Sequence, residues 1–469
     1  MSLLFWLLLF FAIAGLITWL IKRYTKHQTW FLISLVKTKK PLKWFDRIAK
    51  IGKPLDWFAD LGIVLGFGAF ATDYLWGRKM RPIKRVLFFL FSTALLTIVM
   101  FAFDIFLNNA FSNSPIGGEY FPAIAIVFGI SGFAGFTLAT LVMQALDIFV
   151  KFAAGKHPCP GVAPLIPGVE IPNVPIVLPL YAWIPLILIL IIHESMHGIL
   201  ARRAKLKVKS TGMLLLGFLP IGAFVEPDES EVNRAEKRKA LRLYSAGPMA
   251  NIMTLPAISI FLLVLTLLLS AFVYPWYLPL QEQSVLGVRV ASVDQNFSIC
   301  GDVYESPAYG VLNEGQEILA INDVNVSTLG SVRASLPSAP FETATFLIRT
   351  GSVIEEKTLV SNELGRFGFT VDAALNPGFS PPPEYLFIQL TLTIINGLIY
   401  WLFILSLLIA LVNFLPVMPF DGGRIAKIIF LPYLSFLNLP DKKKEKLISR
   451  FFLAIVLALF FLNALPLFI

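Results

Sequence analysis

Charge is scarce in this chain. Asp, Glu, Lys and Arg make up only 15% of its 469 residues, against 57% hydrophobic. No soluble domain of this size buries so much apolar surface, so the composition points to a polytopic membrane protein. Cysteine is scarcer still. Cys159 and Cys300 are the two in the chain, far apart and in different contexts. They support neither a disulfide framework nor a cysteine-based zinc site. Positive charge is missing ahead of the apolar run 3–20, where a cleaved signal peptide would carry it. That run is followed by IKRYTK and reads as an uncleaved anchor with its N-terminus outside. A net charge of +9 could suggest a nucleic-acid partner. The basic residues cluster beside apolar spans instead, as the positive-inside rule expects, and no nucleic acid is expected.

Histidine is rare too, with four in the chain, yet two fall within ILIIHESMHGI (189–199). His193, Glu194 and His197 stand in the order His-Glu-x-x-His. On a helix, positions i and i+4 share one face, so the two imidazoles can hold one zinc. The glutamate between them can act as general base towards a water on the metal. A histidine pair can arise by chance, and a lone histidine is usually a satisfied core residue. Here the flanking residues 176–192 are almost wholly apolar. An ionisable group at membrane depth costs roughly 2.5 kcal/mol or more, so three within five residues are hard to explain as packing.

Residues 22–53 mix lysines with tryptophan and phenylalanine, and PLKWFDRIAKIG (41–52) suits an amphipathic helix on the cytosolic headgroups; a solvated basic loop is the alternative. LGIVLGFGAFATDYLW (61–76) is apolar but short and glycine-rich, so it either crosses or is re-entrant. Spans follow at about 85–108 and 121–150, with Asp104 and Asp147 towards their ends. The proline-rich stretch 158–176 is extended, leading into the histidine-bearing span at about 177–201. The apolar run 212–225 is interrupted by Gly212, Gly217, Pro220 and Gly222. It fits a hairpin of strands dipping into the bilayer, with an edge that can pair with an extended peptide. Another span runs to about Val273. Alternating segments within 281–374 then read as a small soluble domain. Spans at 385–415 and 449–468 close the chain.

The basic runs 202–209, 234–242 and 442–450 share the cytosolic side if the histidine span runs inward and the soluble domain lies outside. The N-terminal half resists this scheme. If 55–77 crosses, RKMRPIKR (78–85) lies outside, against the rule; if it is re-entrant, the parity fails elsewhere.

A catalytic zinc site wants three protein ligands and an open position. Asp421, in a proline-broken segment after an apolar span, is the best third candidate. It could instead cap the helix that begins GGRIAKIIF, but a histidine pair in need of a partner favours ligation.

Taken together, these motifs resemble the site-2 protease class of intramembrane zinc metalloproteases, peptidase family M50. HESMH (193–197) is similar to its His-Glu-x-x-His. NFLPVMPFDGG (413–423) is similar to its Asn-x-x-Pro-x-Pro-x-x-Asp-Gly box, with Met418 replacing the second proline. SAGPMAN (245–251) resembles its Gly-Pro-x-x-Asn element, and GFLPIGAFVEPDE (217–229) its membrane hairpin. The resemblance covers about 160–469. It implies zinc held by His193, His197 and Asp421, Glu194 as base and proton shuttle, and Asn413 on the substrate carbonyl or oxyanion. Asn251, Gly217 and Gly222 are expected to bind substrate. Substrates would be transmembrane segments of membrane-tethered proteins, unwound before cleavage.

SPAYGVLNEGQEILAINDVNV (306–326) resembles the core of a PDZ domain, a module that captures peptide ends. The expected fold is therefore a polytopic α-helical membrane protein with a membrane-associated β-hairpin and an inserted, small, PDZ-like α+β domain. Its regions are an N-terminal membrane part (1–157), a first catalytic part (158–280), the PDZ-like domain (281–375) and a second catalytic part (376–469). Expected partners are membrane lipid and transmembrane protein substrates. The expected location is a prokaryotic cell membrane, with the active site nearer the cytosol and the PDZ-like domain outside. The competing reading is an inactive membrane scaffold that shelters single-span proteins. A metal transporter would show several intramembrane acidic or histidine sites along a path, and one cluster is visible.

Overall fold

The computed structural model describes residues 3–25, 27–111, 120–171, 173–174, 176–217 and 219–468. Helix α1 (Leu3–Tyr24) is followed by two short strands, β1 (Gln28–Trp30) and β2 (Ile33–Thr38). Helix α2 (Leu42–Ala49) is amphipathic, and Phe45 and Ala49 of its apolar face are buried against protein. Phe45 packs with Leu55, Ala59, Ile199, Leu200 and Ala246, while Trp44 stays exposed. Three long helices complete the N-terminal part: α3 (Lys53–Leu75), α4 (Pro82–Phe111) and α5 (Phe121–Ala153). A proline at the start of α3 and of α5 suits the first turn, where its missing N–H is not needed.

An irregular segment leads to α6 (Trp183–Arg203), which carries the histidines. Strands β3 (Val208–Leu216) and β4 (Leu219–Pro227) form the expected hairpin, turned at Gly217. The sheet order is β1-β2-β3-β4, because the N-terminal β2 pairs antiparallel with β3 from Ile33↔Leu216 to Thr38↔Thr211. The outer edge of β3 is thus covered, and among the described residues β4 is the free edge of the hairpin. Helices α7 (Glu229–Arg234), α8 (Lys237–Phe272) and α9 (Tyr274–Ser284) follow.

A small α+β domain comes next. Its strands are β5 (Val285–Ser292), β6 (Asn296–Ile299), β7 (Asp302–Glu305), β8 (Glu317–Ile321), β9 (Val324–Asn325), β10 (Thr343–Thr350), β11 (Val353–Val360) and β12 (Thr370–Leu375). Its helix is α10 (Leu329–Ser335), opened by a Thr328–Ser331 capping box. The main sheet runs β11-β10-β8-β5-β12, and Val290, Ile318, Phe346 and Ile348 lie in a core of its own. Asn322 and Asp323 take positive φ in the tight turn between β8 and β9. The two cysteines do pair, contrary to the expectation from their separation: Cys159 and Cys300 form a disulfide with Cα atoms 5.0 Å apart. Folding brings the segment after α5 against the β6–β7 hairpin, which sequence distance conceals. Beside the disulfide, the backbone N–H of His157 donates to Asp302 (3.0 Å).

Helices α11 (Pro383–Phe414), α12 (Asp421–Phe430) and α13 (Asp441–Ala464) end the chain. Among the described residues, seven helical stretches are long and apolar enough to cross a membrane, built on α3, α4, α5, α6, α8, α11 and α13.

Two of these seven bend back. α3 breaks at Gly68 (φ 59°, ψ −142°) and α5 at Gly132 (φ 60°, ψ −157°), conformations that only glycine takes readily. The breaks face each other: a Cβ on Gly68 would lie 2.6 Å from the backbone nitrogens of Ser131 and Gly132. Before its break, α3 places Asp60 on Arg238 and Arg242 of α8; after it, Trp76 lies 5.6 Å from the guanidinium of that same Arg238. A straight helix would hold Asp60 and Trp76 about 24 Å apart, so α3 returns to the face it left.

α5 does the same from the opposite side. Phe121 packs on Phe101, towards the far end of α4, and Gly129 lies against Thr93 and Thr97, nearer its start. Beyond the break the direction reverses, and Asn463 at the end of α13 donates to the Leu141 carbonyl (2.9 Å). With both helices re-entrant, the parity of the chain is kept. RKMRPIKR then shares one face with the other basic runs. Ion pairs knit that face together: Arg203 with Asp56, Arg238 and Arg242 with Asp60, and Arg85 with Asp73. One buried apolar cluster joins α3, α4 and α5 to α8, α11 and α12 through Phe67, Met100, Phe128, Met249, Phe414 and Ile425.

Candidate metal centre

His193 and His197 lie one turn apart on α6, with ring centroids 4.8 Å apart and Nε2 atoms 3.1 Å apart. Asp421 arrives from the other end of the sequence, as the first residue of α12. Its Oδ2 lies 3.1 Å from His197 Nε2 and 3.3 Å from His193 Nε2. All three residues are buried, and their ligand atoms fall within 4.8 Å of one another. Prolines 416 and 419 interrupt the chain between α11 and α12, and Gly422 and Gly423 let it fold tightly back. A Cβ on Gly423 would lie 2.5 Å from the Val417 carbonyl carbon. Asp421 is not a capping residue; Phe420 holds that position, which leaves the carboxylate free to face the histidines.

A second layer fixes the rings. His197 Nδ1–H donates to the Leu243 carbonyl (2.7 Å). A carbonyl only accepts, so Nδ1 carries a proton and Nε2 is the nitrogen turned to Asp421, the one that would bind a metal. The Asn251 side-chain amide lies 3.1 Å from His193 Nδ1, and its Oδ1 has no hydrogen-bond partner among the described residues. Turned over, that amide offers its oxygen to a His193 Nδ1–H, which frees the second Nε2 in the same way. Gly247 lies four residues before Asn251, on the same face of α8. A Cβ there would run into Nε2 of both histidines.

A cavity of about 1210 Å³ opens from this cluster. His193, Glu194, His197, Asn413 and Asp421 line its inner part, and Lys209, Glu226, Asp228, Lys237 and Lys427 are among the charged residues further out. Glu194 accepts a hydrogen bond from the Val225 backbone N–H of β4 (2.9 Å), which ties the carboxylate to the free strand edge. Asn413 Nδ2 donates to the Ile409 carbonyl (2.9 Å). Arg424 approaches the outer oxygen of Asp421 at 3.6 Å and lies 5.5 Å from the Tyr244 ring centre. Hydrogen bonds from Ser230 hold the Asp228 carboxyl down to about 2, and those from Ser210 and Lys37 hold Glu226 below its ordinary value. Both are charged at neutral pH, so the mouth is wet.

Two imidazoles and one carboxylate, with a cavity on their open side, are a donor set that zinc takes in catalytic sites. The orphaned Asn251 oxygen and the Nδ1-protonated His197 suit the same group. The model of Peptidase family M50 matches residues 181–459, a stretch that contains all three donors and Glu194. The chain belongs to peptidase family M50. The uncharacterized protein MJ0971 of Methanocaldococcus jannaschii is 28% identical over 316 residues, covering 66% of this chain and 70% of that protein. M50 peptidases are zinc metalloproteases, and His193, His197 and Asp421 are the residues here that would hold the ion.

Not every residue expected in this M50 site faces the cavity. Asn251 is fully buried behind His193, where it touches a ligand ring, and it is not among the described residues that line the cavity. Gly217 turns the hairpin at positive φ; its N–H donates to the Leu32 carbonyl, and a Cβ there would strike Ala14 of α1. Gly222 faces Leu214 across the strand pair and does not line the cavity. These two glycines serve the turn and the sheet. The Leu243 carbonyl and Arg424 left no signal in the sequence; Gly247 stood in the Gly-Pro-x-x-Asn element, but without a role.

Proposed function

We propose that this chain is an intramembrane zinc metalloprotease that cuts transmembrane segments of membrane-tethered proteins. One observation carries the reading: Glu194, next to the first metal-binding histidine, is hydrogen-bonded to the free edge of β4. Zinc held by His193, His197 and Asp421 supplies a Lewis acid that polarises a peptide carbonyl and acidifies water. Glu194 takes a proton from the attacking water and returns it to the departing amide nitrogen. A substrate unwound from its helix adds to β4 as a further strand, and its backbone is thereby presented along the carboxylate. Asn413 Nδ2 exchanges the Ile409 carbonyl for the substrate carbonyl. The charged mouth admits water to a site otherwise enclosed by helices.

The basic face lies in the cytosol, by the positive-inside rule. The small α+β domain, outside, is PDZ-like and filters substrates by the size or free end of their external part. The Cys159–Cys300 disulfide supports this orientation, since disulfides persist in oxidising compartments.

The test is zinc content and cleavage of a single-span reporter by the purified full chain. Wild type should bind about one zinc per chain, lost in His197→Ala and Asp421→Ala. Glu194→Gln should keep zinc and lose cleavage. A wild type that binds zinc and whose function is untouched by Glu194→Gln is a scaffold and not a protease. Deletion of 283–373 tests the filter: continued rejection of substrates with bulky external parts would remove the filtering role.

A further inference from the structure

A second cavity, of about 540 Å³, lies between α12 and α13 beside the first, and shares Met418, Lys427 and Glu445 with it. Lys442, Lys446 and Arg450 stand at i, i+4 and i+8 on α13, so they form one stripe along its wall. Lys427 reaches it from α12. Among the described residues, none of these four cations makes an ion pair, and Glu445 is the one acidic group in the lining. Asp441 is not in the lining; it is largely exposed and lies 3.9 Å from the buried Lys444. The rest of the lining is Ser449 and the apolar Val417, Met418 and Leu453. Phe451 and Leu457 continue the exposed apolar surface of α13.

We propose that this cavity seats the phosphate of an anionic phospholipid from the leaflet on the basic face. Lysines that only obey the positive-inside rule splay into water; here two elements converge on one concavity. An acidic substrate flank is a poorer occupant, because transmembrane segments carry Lys and Arg on that same side and would be repelled. A headgroup phosphate meets the four cations while its acyl chains follow the apolar wall, as basic pockets between membrane helices allow. The seat lies against the segment that delivers Asp421. A bound headgroup would therefore clamp α12, and with it the metal-binding carboxylate, to α13.

The test measures lipid retained by the full-length protein in nanodiscs of phosphatidylcholine with phosphatidylglycerol, read by native mass spectrometry. Wild type should retain phosphatidylglycerol selectively. Lys442→Gln/Lys446→Gln/Arg450→Gln should weaken retention by roughly fivefold per cation removed. Lys446→Gln alone gives a milder version should the triple variant fold poorly. Lys39→Gln/Lys40→Gln/Lys239→Gln removes equal charge from other elements, away from the stripe, and should leave retention unchanged. Equal loss in that control would reduce the effect to surface charge and overturn the proposal. So would retention unaffected by the stripe variants. Displacement of the lipid by inorganic phosphate or ATP at equal concentration would assign the cavity to a soluble phosphate compound instead. None of these readouts depends on protease activity.

Discussion

Replacing Gly247 with alanine sets two effects of opposite sign against each other. In a helix interior, alanine is favoured over glycine by about 0.8–1.0 kcal/mol. If α8 had room, Gly247→Ala would raise the melting temperature and leave the metal alone. The geometry gives it none, since the new methyl would enter the space of both Nε2 atoms. Retreat of α8 is blocked: Ser245 donates to the Ala59 carbonyl on α3, and Ala246, Met249 and Asn251 are buried around it. Overpacking of this kind costs about 1–3 kcal/mol, so the net change in the metal-free protein is about 0–2 kcal/mol of destabilisation. Zinc affinity should fall further, because the rings must tip to make room. Changes of this order around metal-binding histidines cost about 10–100-fold. Competition with a zinc chelator, beside melting curves with and without zinc, reads both terms. A variant that melts higher than wild type and binds zinc equally tightly would refute the close approach of α8 to the histidines.

Three further outcomes are expected. Asn251→Leu should weaken zinc binding by about 10–100-fold while Asn251→Asp keeps most of it, because only the aspartate can accept from His193 Nδ1–H; equal affinities in a chelator titration would end that role. Cys159→Ser should leave zinc content unchanged but speed proteolysis around 154–171 and the β6–β7 hairpin, and identical digestion patterns would show that the disulfide restrains neither. The Glu226 carboxyl is held below its ordinary 4.5 by Ser210 and Lys37, so its contribution is complete above that value and lost as pH falls through the lowered one. The melting difference between wild type and Glu226→Gln should therefore be constant above pH 4.5 and shrink in stronger acid; a difference that grows as pH falls would contradict the assignment.

The metal cluster was legible because its chemistry is local and costly. His-Glu-x-x-His in an apolar helix leaves little room for other readings, and Asp421 stands out in a segment broken by prolines. The β3–β4 hairpin was marked by glycines in an apolar run. Its partner β2 was not, because ISLVKT is a short strand in a lysine-rich stretch that reads equally well as a loop. The bends in α3 and α5 were half visible: Gly66 and Gly68 flagged the first, but Gly132 sits in an unbroken apolar run of ordinary span length. The disulfide was invisible for a different reason. It joins parts of the chain brought together only by the placing of the α+β domain beside the end of α5. Asn251 was noticed and misplaced, since a motif does not say which side of a metal its residue occupies.

During synthesis, the bend in α3 reaches the bilayer before its counterpart exists. Backbone groups at the tip of a broken half-helix cannot be left bare in hydrocarbon. The nascent α3 hairpin must therefore wait near the headgroups, on the side it started from, until α5 has been made and can bring Gly132 against Gly68. The two tips then meet from opposite sides, each covering the other. A ribosome-bound chain halted after α4 would thus leave α3 open to reagents in the water, and one halted after α5 would shield it.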